Sequence, residues 1–375
     1  MKLIRHGAVV GAVAISAFGL VACGSDNNST SSGATGSAIA NSTASCEGKA
    51  NLSGAGSSAQ KNAMDAFTKA YIAACQSKGK SVNVAYNASG SGDGRSQFVN
   101  SQVDFAGSDS AIKEDQAVKA KQRCNGNEAW NIPLVFGPVA LAYNIEGVDN
   151  LVLNGEVTAK IFHGAVTKWN DPAIAALNGG VALPDKEIAV FSRSDSSGTT
   201  DNFQQYLAAS SKGAWPAADT GSDFKGKGSG AKGSAGVAQA VAGTPYSITY
   251  VEKSFADQNK LTVARIDSGS GPVALSNDAV AKAITATKVK HEGSLDLALD
   301  LKSTYASSEA GVYPLILATY EVVCSKGYQP EVGSAVKSFL TSAVNEGQQG
   351  LDKLGYVPLP DAFKSKVVAS INAIG

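Results

Sequence analysis

The chain has 375 residues, 43% of them hydrophobic and 17% charged, with 32 Lys and Arg balancing 32 Asp and Glu. That length supports two or more domains with sizeable cores, and the neutral balance excludes the broad basic surface of a nucleic-acid binder. Only three histidines are present, one of them His6 near the start, so metal- or histidine-based catalysis is poorly supplied, whereas 40 glycines announce many turns and close-approach loops.

In chain order, Lys2 and Arg5 form a positive segment, and Ala8 to Leu20 is an apolar run too short to span a bilayer comfortably. It ends in Leu20-Val21-Ala22-Cys23 followed by Gly24 and Ser25, which resembles the lipobox of bacterial lipoprotein signal peptides. The resemblance implies a signal peptide over 1–22 and a lipidated Cys23 as mature N-terminus, held to the outer face of the cytoplasmic membrane by its acyl chains. The small, polar residues up to Ser45 cannot bury a core and read as a flexible tether over 23–45, its ends roughly 25 Å apart as a random coil. Setting Cys23 aside leaves Cys46, Cys75, Cys124 and Cys324. An even number in an exported chain favours two disulfides, and three pairings remain open. No CxxC spacing suggests a zinc or redox site, and no metal or cofactor is expected.

The remainder alternates helical and strand-like stretches. Residues 59–75 carry Ala63, Ala66, Phe67, Ala70 and Tyr71 on one helical face, and Val82 to Asn87 alternates like a strand. Further strands are expected in 133–144, 187–194 and 245–251, and further helices in 202–210, 233–243, 277–287, 334–355 and 361–374. Strands alternating with helices argue an α/β architecture with open sheets.

Three segments share one design. Gly54 to Gln60, Ser89 to Phe98 and Ser192 to Phe203 each follow a strand, turn through small residues and open a helix. That geometry aims free helix N–H groups at whatever sits beyond the strand end, and serine and threonine hydroxyls add donors. Each serine alone is equally a helix cap; three such turns together argue a shared anion, held by dipoles in a chain without net charge. Gly228 to Gly233 satisfies GxGxxG, but lacks a clear preceding strand and reads as a glycine-rich turn before a helix, with a secondary ligand contact open. Trp130, Trp169 and Trp215 read as packing residues, and His163 and His291 as surface or loop residues.

The stretches GAGSSA, YNASGSGDG, VDFAGSDSAI and RSDSSGTTDNF, in that order, resemble the phosphate-binding lipoproteins of the phosphate-specific ABC transporter, the PstS family. So does the connecting region 157–193, and the resemblance runs from about Leu52 to the C-terminus. It implies a type II periplasmic-binding-protein fold, two α/β lobes around a hinged cleft. We expect lobe I from 46–142 plus 312–375 and lobe II from 143–311. Carried over by motif, the phosphate ligands would be Ser57, Ser58, Ala59, Ser91, Asp109, Arg193, Ser197, Gly198 and Thr199, with Asp195 pairing the arginine. Ala59 stands where many members carry phenylalanine. Implied partners are inorganic phosphate and the membrane permease of an ABC importer; a monomer without nucleic-acid partner is expected.

The chemistry is consistent residue by residue. Arg193 and Asp195, two apart in an extended segment, point the same way and can pair. Asp109, if ionised, only accepts hydrogen bonds, so it suits an anion that carries a proton, as phosphate does at neutral pH and sulfate does not. The rival reading is an exported phosphatase or serine hydrolase with Ser197 or Ser91 as nucleophile, against which stands the lack of histidine in every motif. A sugar- or peptide-binding lipoprotein would need stacking aromatics that these loops lack.

Overall fold

The computed structural model describes residues 42–375. The leader, Cys23 and most of the tether lie outside the described residues. The tether's last residues are docked rather than free: Ala44 is fully buried, and Lys78 donates through Nζ to the carbonyls of Ser42, at 2.9 Å, and Ala44.

One mixed nine-stranded sheet organises the chain. Its strands are β1 (Asn51–Gly56), β2 (Asn83–Asn87), β3 (Phe105–Ser108), β4 (Ala129–Asn144), β5 (Ala189–Arg193), β6 (Ser229–Ala231), β7 (Ser247–Glu252), β8 (Thr262–Val263) and β9 (Ile316–Cys324). Their order is β2-β1-β3-β9-β4-β7-β5-β6, with β8 also on β4. The strands β2, β1 and β3 are parallel, as are β7, β5 and β6, while β9 runs antiparallel to both β3 and β4.

The long strand β4 joins the two halves. Ala129 to Pro138 pairs with β9, and Val139 to Asn144 pairs with β7. Proline cannot donate to a ladder, and both prolines of β4 sit where nothing is lost. Pro138 stands where the partner changes, and Pro133 flanks a bulge opposite Thr319 and Tyr320. Leu134, passed over in that bulge, has its carbonyl bonded by Gln348 Nε2 at 3.0 Å. A three-stranded sheet (152–153, 265–267, 272–273) and a two-stranded one (288–289, 299–300) lie apart from the main sheet.

The helices that bear on the cleft are α1 (Lys61–Gln76), α2 (Ser91–Val99), α3 (Gly198–Ser210) and α4 (Gly233–Gly243). In α1 the buried residues Ala63, Met64, Phe67, Tyr71, Ala74 and Cys75 recur at three and four, the stripe its sequence carries. Trp169 and Trp215 are core residues, Trp130 is half-buried, and His163 ends a helix with its ring edge-on to Trp215.

Of the three open disulfide pairings the structure forms Cys46–Cys75 and Cys124–Cys324. Two expectations are corrected. The stretch 334–355 is not one helix: it is helical only from Pro330 to Val344, then breaks into two short 3-10 turns. Gly347 lies against the Phe67 ring where a side chain would not fit, and Gly350 and Gly355 take left-handed backbone that ends helices. The segment 228–233 is also more than a turn: 229–231 is an edge strand on β5, and the helix starts at Gly233.

Candidate functional site

Nearly every polar group of the site stands at or just past the carboxyl end of a strand, the crevice position where open α/β sheets place ligands. Ser57 and Ser58 follow β1, Asp109 follows β3, Asp195 and α3 follow Arg193 at the end of β5, Ser234 follows β6, and Glu252 ends β7. Ser91 opens α2 after β2.

Asp109 is the hub on one side. It is 3% exposed. Its Oδ1 accepts from Ser57 Oγ at 2.6 Å and Thr319 Oγ1 at 2.8 Å, and its Oδ2 from Ser91 Oγ at 3.1 Å. An ionised carboxylate has about four acceptor positions. Three hydroxyls therefore leave one, on Oδ2. Burial pushes the Asp109 carboxyl above its ordinary range, and the Ser57 and Thr319 hydroxyls, Arg193 and Ser91 act against that.

Arg193 is the hub on the other side. Its Nε donates to Asp195 Oδ1 at 2.7 Å and its Nη2 to Asp195 Oδ2, while Asp195 Oδ1 also accepts the Gly233 N–H at 2.9 Å. Burial opposes the guanidinium charge, yet the bond and charge of Asp195 outweigh it and hold Arg193 above its usual value. Burial likewise opposes the Asp195 charge, and Arg193 with the Gly233 N–H outweighs it, so Asp195 lies below the ordinary carboxylate range. The remaining arm, Nη1, reaches Ser234 Oγ at 3.3 Å and Thr199 Oγ1 at 3.4 Å. The Thr199 hydroxyl donates to Glu252 Oε1, and Glu252 is a fully buried acid whose second oxygen has no protein donor. Burial, then Asp109, raises Glu252, with Arg193 opposing.

The two sides touch. Ser58 and Ser234 share a hydroxyl pair at 3.0 Å, the Gly92 N–H donates to the Ser196 carbonyl at 2.9 Å, and Asn202 Nδ2 donates to the Asp109 carbonyl at 2.8 Å. Gly198 packs so close to Ser91 and Asp109 that a Cβ there would lie 2.6 Å from Ser91 Oγ. Beside Asp109 a cleft of about 450 Å³ opens outward between Ser110, Asp201, Asn202, Lys290 and Lys302.

The ten residues expected from sequence around the anion, Ser57 to Ala59, Ser91, Asp109, Arg193, Asp195 and Ser197 to Thr199, gather here. Two of them also serve the local backbone. Ser197 caps α3, its Oγ accepting the Thr200 N–H at 3.1 Å, which leaves its own O–H as a donor. The Ala59 N–H is turned to Ser57 Oγ at 3.1 Å. The N–H groups of Gly198 and Thr199 open α3 ahead of its intrahelical ladder, and Gly198 packs against Ser91 and Asp109. Four groups went unnoticed in the sequence: Ser234, Asn202, Glu252 and Thr319. Ser234 had a signal, since the glycine-rich 228–233 segment is a fourth strand–turn–helix. Asn202 lies within the RSDSSGTTDNF stretch but past its turn, inside the helix, and Thr319 acts from inside a strand that no motif marks. Among the described residues no cluster of three or more His, Cys, Asp or Glu could hold a metal, and no helix is long and apolar enough to cross a membrane.

A family model described as a PBP superfamily domain matches residues 29–344. Phosphate-binding protein PstS 3 of Mycobacterium tuberculosis (strain ATCC 25618 / H37Rv) is 48% identical over 377 residues, covering 100% of both chains. Phosphate-binding protein PstS of Pasteurella multocida (strain Pm70) is 32% identical over 289 residues, 76% of this chain and 81% of that one. Among solved structures, a phosphate binding protein from Stenotrophomonas maltophilia superposes with a TM-score of 0.64 at 19% identity, over 86% of this chain and 94% of that one, a likeness of fold.

Proposed function

The chain belongs to the PBP superfamily and, within it, to the PstS phosphate-binding proteins, and on that premise we propose that it captures inorganic phosphate between its lobes for delivery to an ABC importer. The observation that carries this is the arrangement around Asp109: a buried carboxylate with three hydroxyl donors and one acceptor position left, packed against Gly198 at the N-terminus of α3. An anion bearing a proton satisfies both sides at once, its O–H on Asp109 and its oxygens on the hydroxyls, N–H groups and guanidinium.

In this reading Ser57, Ser58, Ser91 and Asp109 meet the ligand from lobe I, and Arg193, Ser197, Gly198 and Thr199 from lobe II, with Ser234 added. The lobe division 46–142 plus 312–375 and 143–311 is supported by the change of partner along β4 at Pro138 and by the return of the chain in β9. A ligand that bridges both sets of donors favours the closed state. Acylation at Cys23 would hold the protein beside its permease and raise the local concentration of loaded protein.

Calorimetric titration of the 42–375 domain tests the proposal. Phosphate should bind with one site per chain, and sulfate at least about a hundredfold more weakly. Failure to bind phosphate, or turnover of a phosphomonoester that a Ser197→Ala change abolishes, would overturn it in favour of hydrolase chemistry.

A further inference from the structure

Below the anion loops lies a second acid that the phosphate reading does not use. Glu321, in the centre of β9, is fully buried, and neither carboxyl oxygen has a donor among the protein's groups. It stands opposite Gly107 in the β3–β9 register, so its side chain shares a sheet face with the space above Gly107. That space is filled: a Cβ on Gly107 would lie 1.9 Å from Gln60 Nε2 and 2.2 Å from Tyr86 Oη. The Gln60 side chain is a polar neighbour of Glu321 in that space.

The donors around it run one way. Gln60 Nε2 donates to Tyr86 Oη at 3.1 Å, Tyr86 donates to the Ser57 carbonyl at 2.9 Å, and Ser57 Oγ donates to Asp109. This orientation fixes the Gln60 amide and leaves its buried Oε1 as an acceptor without a partner. Two buried acceptors side by side are resolved by one proton. We propose that Glu321 is a positioning residue carried as the neutral acid, donating its proton to Gln60 Oε1 and thereby fastening the first anion loop from below.

The electrostatics agree. Burial pushes Glu321 up to about 8; Gln60 acts to lower it and the nearby Asp109 to raise it. The titratable groups facing it are Asp109, just past β3, and, from β2, the Tyr86 phenol, with the Tyr356 phenol next to Tyr86. Among the described residues no cation acts on it. Ionised Glu321 would be an unpaired buried charge beside the carboxylate that meets the ligand, and would lose the bond to Gln60. Linkage is reciprocal: an anion bound at Asp109 disfavours ionised Glu321, and ionised Glu321 disfavours the anion. The proposal rests on the phosphate reading for its ligand.

The test compares wild type with Glu321→Gln, which keeps a donor and cannot ionise. Phosphate affinity is measured between about pH 7 and about pH 9.5, and the wild-type to variant ratio cancels the ligand's own titration. The two proteins should bind alike at pH 7, and wild type should fall behind by about fivefold or more at the upper end. In parallel, the wild-type minus variant infrared difference spectrum should hold a protonated-carboxyl C=O band at pH 7 that fades as the pH rises, which separates Glu321 from the buried Glu252. A ratio that stays flat with pH, or no protonated-carboxyl band at pH 7, overturns the proposal. Should Glu321→Gln not fold, Glu321→Met takes its place in the difference spectrum. Absence of phosphate binding by both proteins defeats the proposed function instead, and leaves the infrared result as the judge of Glu321.

Discussion

Replacing Asp109 by Asn should narrow discrimination between phosphate and sulfate more than it weakens anion binding. In the structure Oδ1 is filled by Ser57 and Thr319, and Ser91 takes one position on Oδ2, so a single acceptor position is left for a ligand's proton in the proposed site. In the variant the carbonyl oxygen can keep the Ser57 and Thr319 bonds, which places the amide nitrogen at the old Oδ2 position. One of its protons can go to Ser91 Oγ, and the other then points where the ligand's proton was. A phosphate O–H loses its acceptor there, a loss of about 1–3 kcal/mol. Sulfate, carrying no proton, meets a donor in place of a repelling carboxylate. The ratio of sulfate to phosphate dissociation constants should fall by about 5- to 150-fold. Competition calorimetry at neutral pH measures both constants in wild type and variant. An unchanged ratio, or sulfate bound more weakly by the variant, would refute the role given to Asp109.

Gly198→Ala should hold the two sides apart, because the added Cβ would lie 2.6 Å from Ser91 Oγ and 2.7 Å from Asp109 Cβ. Overpacking of about 1–3 kcal/mol in the closed form alone predicts a matching loss of phosphate affinity and a larger radius of gyration with ligand present, by titration and small-angle scattering. Removing Cys124–Cys324, whose sequence separation is 200, should cost more stability than removing Cys46–Cys75, separated by 29: about 5 against about 3.6 kcal/mol by loop entropy, checked by denaturant melts of the two Cys→Ser pairs. Asp195 has its pKa depressed in the fold, so the stability it contributes is present above its unfolded value near 4 and is lost as pH falls through the folded value. Asp195→Asn should lose that contribution at neutral pH and show a flatter acid limb, read from melting temperature against pH.

How much could be read without the fold follows from the range over which each interaction acts. The amphipathic stripe of α1 is legible because one helix face meets one core: Ala63, Phe67 and Tyr71 of the expected face are buried, while Ala66 and Ala70 are half-buried. The strand–turn–helix loops are legible because cap, turn and helix start lie within about ten residues of each other. The helix expected over 334–355 failed because its end is decided by contacts to distant residues: Gly347 on Phe67, and Gln348 bonded to the carbonyl of Leu134 and the N–H of Leu359. The strand β9 was passed over, although its run of apolar and β-branched residues is typical of a strand buried on both faces. That omission hid Thr319 and Glu321 together.

The sequence by itself determined the α/β alternation, the four glycine- and serine-rich motifs and, through their order, the family. It also determined the Arg193–Asp195 pairing, because two residues on one extended segment need no fold to meet. Only the tertiary structure decided which of the three disulfide pairings forms, that Thr319 completes the shell of Asp109 from 210 residues away, and that Ser234 and Glu252 share the site. The reason is physical. A hydrogen bond between residues close in sequence is set by local backbone geometry, whereas the partners of a buried carboxylate are set by which strands the sheet brings side by side. Strand order is a property of the whole chain, and the acceptor position left on Asp109 exists only once β3 and β9 are paired.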